Sequence, residues 1–220
     1  MLTLVSGGVC LACCIRLVRL FATNFHSLAS VMQPGVRFFN SQGPKKWSVW
    51  VVENHWDHEQ NRPTPTGQLT RQAKYGFDRT AAEQLAQNVA AVAAFLVSKN
   101  RFGDEPIEAV CAVPFAGSKQ LSVPHLLAEA VAKAIRAADR SHLVTKVKET
   151  DPAKLQQNPV VDPTLFRVEW NSRARRVLLI DDVFRSGATL ESLHAAFRQH
   201  GIEPVGAICA TRAHKGMALS

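Results

Sequence analysis

The chain carries no acid before Glu53, while Arg16, Arg19, Arg37, Lys45 and Lys46 give the same stretch five positive charges. The formal net charge of +8 is therefore gathered mostly at one end, and the rest is close to balance. That distribution removes the strong nucleic-acid signal an evenly basic chain would carry. A second pair of thiols or histidines to accompany Cys10 and Cys13 at a zinc-site spacing is also missing, which argues against a structural zinc site. The five cysteines form no disulfide framework. An odd count without one fits a reducing, cytoplasmic compartment. Cys111 and Cys209 fall inside apolar runs and read as inert core thiols. No apolar run is long enough for a confident membrane segment: Leu2 to Ile15 is broken by Ser6, Gly7 and Gly8 and stopped by Arg16. The basic start of a secretory signal is lacking too. Internal repeats and low-complexity tracts are absent.

What is present is a globular composition. The chain has 220 residues, 46% hydrophobic and 20% charged, enough for one good-sized core. Residues 1–46 read as an N-terminal extension, disordered or mis-started, with Met32 an alternative start. Residues 47–220 read as one domain. Gln33 to Lys46, in the extension, and Asn54 to Gly67, in the domain, are expected to be loops because of their prolines and glycines. Trp47 to Val52, Ile107 to Pro114, His142 to Glu149, Phe166 to Trp170, Val177 to Asp182 and Pro204 to Thr211 read as strands. A helix is expected from a capping box at Thr80-Ala81-Ala82-Glu83, with Leu85, Val89, Val92 and Leu96 at helical spacing. A second runs from about Ser122 to Ala137. A third follows Val177 to Asp182 and stops at Gly201. Thr150 to Pro163 reads as a long loop. Strands alternating with helices predict an α/β fold with a doubly wound, mainly parallel sheet.

The stretch VLLIDDVFRSGATLESL, Val177 to Leu193, carries the chemistry. An apolar strand ends in Asp181 and Asp182. Ligands of an open parallel sheet bind beyond the carboxyl ends of its strands, where these acids are expected. The next residues turn into a helix. Ser186, Gly187, Ala188 and Thr189 are small, so a ligand can approach the backbone, and free amides at a helix start bind phosphate. Two carboxylates beside a phosphate make sense if they accept hydrogen bonds from sugar hydroxyls or from water on a metal. The pattern fits a ribose 5-phosphate. The bland alternative is an ordinary strand-to-helix turn with capping acids.

IDDVFRSGATL resembles the phosphoribosyl pyrophosphate signature of type I phosphoribosyltransferases. GQLTRQAKYGFDRTAAEQLA, Gly67 to Ala86, is similar to a segment of the ComF-like (competence protein F) branch, including its Lys-Tyr pair at Lys74 and Tyr75. IEAVCAVPFAGSK sits where the family places its pyrophosphate loop. The resemblance covers about Gly67 to His214 and is divergent. The branch's Arg-Gly-Phe-Asn run is replaced by Phe115-Ala116-Gly117-Ser118, and its N-terminal zinc-ribbon cysteines are missing.

The resemblance implies a Rossmann-like type I phosphoribosyltransferase fold with a small N-terminal hood. It implies an Mg2+-dependent enzyme that displaces pyrophosphate from C1 of phosphoribosyl pyrophosphate by an unknown acceptor, such as a base. Asp181 and Asp182 would hold the ribose hydroxyls and, through water or ribose, the metal. Val183, Phe184, Arg185, Ser186, Gly187, Ala188 and Thr189 would cradle the 5-phosphate. Pro114, Phe115, Ala116, Gly117, Ser118 and Lys119 would hold the pyrophosphate. Lys119 is the leaving-group cation or else a solvated turn lysine; Lys74 reaches the pyrophosphate or else lies on the surface. Lys146 and Lys148 flank a lid or an exposed strand edge. Trp47, Trp50 and Trp56 stack on a flat base or pack in the core. By analogy with the family, a homodimer is expected. The rival reading is a non-catalytic phosphoribosyl pyrophosphate or nucleotide sensor, in regulation or DNA uptake.

Overall fold

The structure is a computed structural model that describes residues 35–39, 47–114, 122–147 and 161–213. Its strands are β1 (Gly35–Phe39), β2 (Trp47–Asn54), β3 (Trp56–Asp57), β4 (Arg62–Pro63), β5 (Ala109–Ala112), β6 (Ala138–Asp139), β7 (Val144–Lys146), β8 (Phe166–Val168), β9 (Arg176–Phe184) and β10 (Glu203–Arg212). Its helices are α1 (Pro65–Tyr75), α2 (Arg79–Ser98), α3 (Val123–Ile135) and α4 (Ala188–Gln199). Six strands form the main sheet in the order β1-β2-β10-β9-β5-β6. All its pairings are parallel except β1 with β2. The expected doubly wound, mainly parallel α/β architecture is present.

The sheet has the burial its composition demands. Val177 to Ile180 are fully buried, as are Ala109 to Ala112, because helices cover both faces of a parallel sheet. On one face Val177, Leu179, Cys111 and Cys209 meet Leu190, Leu193 and Phe197 of α4 and the β7–β8 ribbon. α2 packs against both α1 and α3, and all three lie against the other face. Cys111 and Cys209 are buried free thiols, and burial pushes both well above the ordinary thiol range.

Several local expectations are corrected. Five residues of the stretch read as a loop, Gly35 to Phe39, form the antiparallel edge strand β1. The Asn54–Gly67 stretch is not a plain loop either: it holds the small β3–β4 hairpin and starts α1. Pro65 stands in the first turn of α1, where its missing N–H is no loss, and Thr64 caps the helix by accepting from Gly67 N at 3.0 Å. α2 begins one residue before Thr80. Its cap is Asp78, which accepts from Ala81 N at 3.1 Å, and Glu83 pairs instead with Arg79. The strands expected around His142 and Phe166 are short and pair with each other, outside the main sheet.

β9 is longer than predicted. It runs two residues past the acids because β10 is long enough to pair with it, Thr211 with Val183 and Arg212 with Phe184. β5 is short. Its last partners are Ala112 and Ile180, with Val113 N donating to Ile180 O at 2.8 Å. Asp181 is thus the first residue of β9 to pass beyond its β5 neighbour. From β5 the chain proceeds outward to β6, and from β9 it proceeds the other way to β10. The gap between their carboxyl ends is the topological switch point, where open α/β sheets leave a crevice.

Candidate functional site

Asp181 and Asp182 stand at that switch point. As neighbours on a strand they face opposite sides of the sheet. Asp181 continues the row of Val177 and Leu179, toward the α4 side; Asp182 points to the α1 side. The Asp181 carboxylate accepts from Asp182 N at 2.8 Å. Burial, reinforced by the neighbouring Asp182 charge, lifts Asp181 far above the ordinary carboxylate range, to about 8, against the opposing pull of Lys74.

Asp182 is buried and paired. Lys74 Nζ, from the last turn of α1, lies 2.7 Å from its Oδ2. Burial pulls the ammonium down, but the charge and hydrogen bond of Asp182 outweigh it and hold Lys74 above the ordinary lysine value. Lys74 is therefore brought into the site rather than left on the surface, and in the ligand-free chain its partner is an acid.

The turn after β9 is built as the small residues suggest. Gly187 takes φ +85°, a left-handed conformation that a side chain resists, and caps α4 without a side-chain bond. Ala188 N donates to Ser186 Oγ at a long 3.4 Å, and Glu191 N closes onto Gly187 O at 2.9 Å. The first turn of the helix thus offers amides to a ligand with little competition from its own side chains. Arg185 and Thr189 are half-buried beside it. Val183 and Phe184 have buried side chains in β9, and Phe184 O accepts from Ala213 N at 2.9 Å.

Pro114 is buried just after β5. Phe115, Ala116, Gly117, Ser118 and Lys119 lie outside the described residues, as does Lys148. Trp47 is a core residue: it is 4% exposed, donates from Nε1 to Glu191 Oε1 at 3.1 Å, and stacks on His194 at 4.7 Å between centroids. Trp50 is half-buried and faces the Arg101 guanidinium.

Two site neighbours belong to no sequence motif. His55, at the turn from β2 to β3, is 3% exposed, and its Nδ1 lies 3.3 Å from Thr211 Oγ1. Thr211 in turn donates to the backbone oxygen of Asp182 at 3.4 Å. The two residues are 156 apart in sequence, and only the pairing of β10 with β2 and β9 brings them together.

Among the described residues, no cluster of three or more acids, histidines and cysteines could hold a metal. A hard cation such as Mg2+, which keeps most of its ligands from water and substrate oxygens, would need no more than one of the acids. No described helix is long and apolar enough to cross a membrane.

Neither a protein-family model nor a curated protein matches the chain. Among solved structures, a hypoxanthine phosphoribosyltransferase of Staphylococcus aureus is similar at 16% identity and a TM-score of 0.33 over 61% of this chain. The match spans 65% of that enzyme, just under two thirds of its length. A hypoxanthine phosphoribosyltransferase of Trypanosoma cruzi, solved as a ternary substrates complex, is similar at 14% identity and a TM-score of 0.35 over 63% of this chain and 72% of that one. Likeness at these TM-scores carries no argument about activity; the α/β architecture rests on the sheet order itself.

Proposed function

We propose that the chain binds 5-phosphoribosyl 1-pyrophosphate in the crevice beyond β5 and β9 and transfers its phosphoribosyl group to an acceptor, with release of pyrophosphate. The observation that carries this reading is the placement of Asp181 and Asp182 at the switch point, followed directly by the small-residue turn and the open first turn of α4. A sugar phosphate satisfies both halves, its hydroxyls on the acids and its 5-phosphate on the amides from Arg185 to Thr189.

The chemistry asked of the residues is modest. A bond forms between the acceptor and C1, the bond from C1 to the pyrophosphate oxygen breaks with its electron pair leaving on pyrophosphate, and the acceptor gives up a proton. Mg2+ bound with the substrate would offset the charge gathering on the leaving group. The protein must supply further cations there. Lys74 suits that role: it is already at the acid pair, and sugar hydroxyls arriving at Asp182 would free it to follow the pyrophosphate. Asp181, held protonated in the ligand-free chain near neutral pH, would ionise as hydroxyls and the metal's water shell take up its charge. Lys119 and the Pro114–Ser118 turn are assigned to the pyrophosphate by the motif alone.

The Lys74–Asp182 pair also favours a second reading, in which the chain binds phosphoribosyl pyrophosphate or a nucleotide and turns nothing over, the ion pair acting as a binding switch. Calorimetric titration of phosphoribosyl pyrophosphate with Mg2+ into the wild type and the Asp181→Asn/Asp182→Asn double variant tests what both share. Saturable binding that the folded double variant loses supports a ribose-phosphate site; absence of binding by the wild type overturns it. Pyrophosphate release on a screen of nucleobases then separates enzyme from sensor.

A further inference from the structure

We infer that His55 is a positioning residue for the Lys74–Asp182 pair, acting as a neutral imidazole with its proton on Nδ1. Its importance to ligand binding rests on the proposed phosphoribosyl pyrophosphate site, but its geometry does not.

The Thr211 hydroxyl has one proton, and the backbone oxygen of Asp182, 3.4 Å from Oγ1, can only accept, so we place the proton there. Toward His55, 3.3 Å away, the same oxygen can only accept. Nδ1 must then be the protonated nitrogen. Nε2 is left as a bare lone pair, buried and with no hydrogen-bond partner among the described residues. The opposite tautomer would bury an unsatisfied N–H, and an imidazolium would bury an unsatisfied charged donor, which is worse. The charges around the ring agree. Burial disfavours the imidazolium, as do Arg71, Lys74 and Arg185, and only Asp182 favours it.

The backbone of the same residue ties down the other partner of the pair. His55 N donates to Arg212 O at 2.8 Å, and His55 O accepts from Thr64 N at 3.3 Å, at the cap of α1. Gly67 in the first turn of α1 lies so close that an added Cβ would sit 2.0 Å from His55 O. Lys74 is seven residues further along, two turns and about 10 Å, on the same face. His55 thus meets β9 through Thr211 and seats the start of α1 through Gly67. A shift at His55 would move the carboxylate and the ammonium relative to each other.

The test uses the full chain. Long-range 1H–15N correlation spectra should show His55 protonated at Nδ1 and bare at Nε2. In the ligand-free protein, acylation of Lys74 by an amine-reactive ester, followed by mass spectrometry, reports how well Asp182 shields the ammonium. His55→Leu should raise that rate about fivefold, the equivalent of one buried hydrogen bond. His55→Asn, whose side-chain amide can donate from the Nδ1 position, should restore it to within about twofold of wild type. Thr211→Val should match His55→Leu from the other side of the bond and covers the case in which His55→Leu fails to fold. An Nε2–H tautomer, unchanged Lys74 acylation in a folded His55→Leu or Thr211→Val variant, or His55→Asn no better than His55→Leu would overturn the inference. Loss of phosphoribosyl pyrophosphate affinity in His55→Leu but not His55→Asn is the expected binding result. If the wild type binds none, the proposed function fails while the lysine and tautomer results still decide the role of His55.

Discussion

Lys74 Nζ and Asp182 Oδ2 are 2.7 Å apart, an ammonium from the end of α1 closed onto a carboxylate of β9. The acid is buried and the lysine side chain is 28% exposed. Removing one partner from such a pair strands the other in a poorly solvated place. Breaking a fully buried pair costs about 3–5 kcal/mol; with the lysine partly open to water, we expect Lys74→Met to cost on the order of 1–3 kcal/mol by urea unfolding. Adding Asp182→Asn to Lys74→Met should recover part of that loss. A double variant as unstable as the two single changes added together would show that the pair does not interact.

Gly67 gives a prediction of a different kind. A Cβ there would stand 2.0 Å from His55 O and 2.8 Å from His55 C, both backbone atoms that cannot swing away. Gly67→Ala should therefore destabilise by about 2–3 kcal/mol, at the upper end of what overpacking costs. Gly201 is the control. Its φ of +66° makes alanine strained, but nothing lies within 4 Å of the added carbon, so Gly201→Ala should cost only about 1 kcal/mol. Similar midpoints for the two variants in chemical denaturation would contradict the steric argument.

The sheet and the acid pair were readable from local sequence because each rests on a short-range signal. Val177 to Ile180 is apolar enough to mark a strand buried on both faces, and two acids followed by small residues mark where it nears the turn into α4. α1 was not readable. Pro63, Pro65 and Gly67 look like loop residues, yet Pro65 fits a first turn and Gly67 is needed where the helix meets His55. The extra length of β9 depended on β10 reaching Arg212, a long-range pairing. His55 and Thr211 carried no motif at all. Their relation to Asp182 exists only once β2 and β9 flank β10.

Thr211 links those strands, and its hydroxyl can be removed with little change of shape. It is fully buried. Thr211→Val leaves the His55 Nδ1–H short of its partner and takes the hydroxyl away from the Asp182 oxygen, so we expect a loss of about 1–3 kcal/mol. Thr211→Ser keeps the hydroxyl and should lose less, only a buried methyl at about 1 kcal/mol. If the serine variant is the less stable of the two by thermal unfolding, packing of the methyl matters more than the hydroxyl.

The dependence of stability on pH should carry two opposed contributions. Asp181 has its native pKa raised from 3.8 to about 8. Between those values the folded chain keeps a proton that the unfolded chain releases, so Asp181 makes stability fall as pH rises through that range. His194 is the reverse. Burial first, then the Arg198 charge, lower it from 6.5 to about 4. Between those values the unfolded chain gains a proton that the folded chain refuses, so His194 makes stability fall as pH drops from 6.5 toward 4. The two slopes oppose each other between about pH 4 and 6.5, and only that of Asp181 continues to about pH 8. Asp181→Asn should remove the decline above pH 6.5, leaving the variant with a higher melting temperature than wild type at pH 8. His194→Gln should instead flatten the acid limb and leave the decline above pH 6.5 in place. Melting curves of the three proteins from pH 4 to 8 read both effects, and an Asp181→Asn profile parallel to wild type would show that Asp181 ionises normally in the fold.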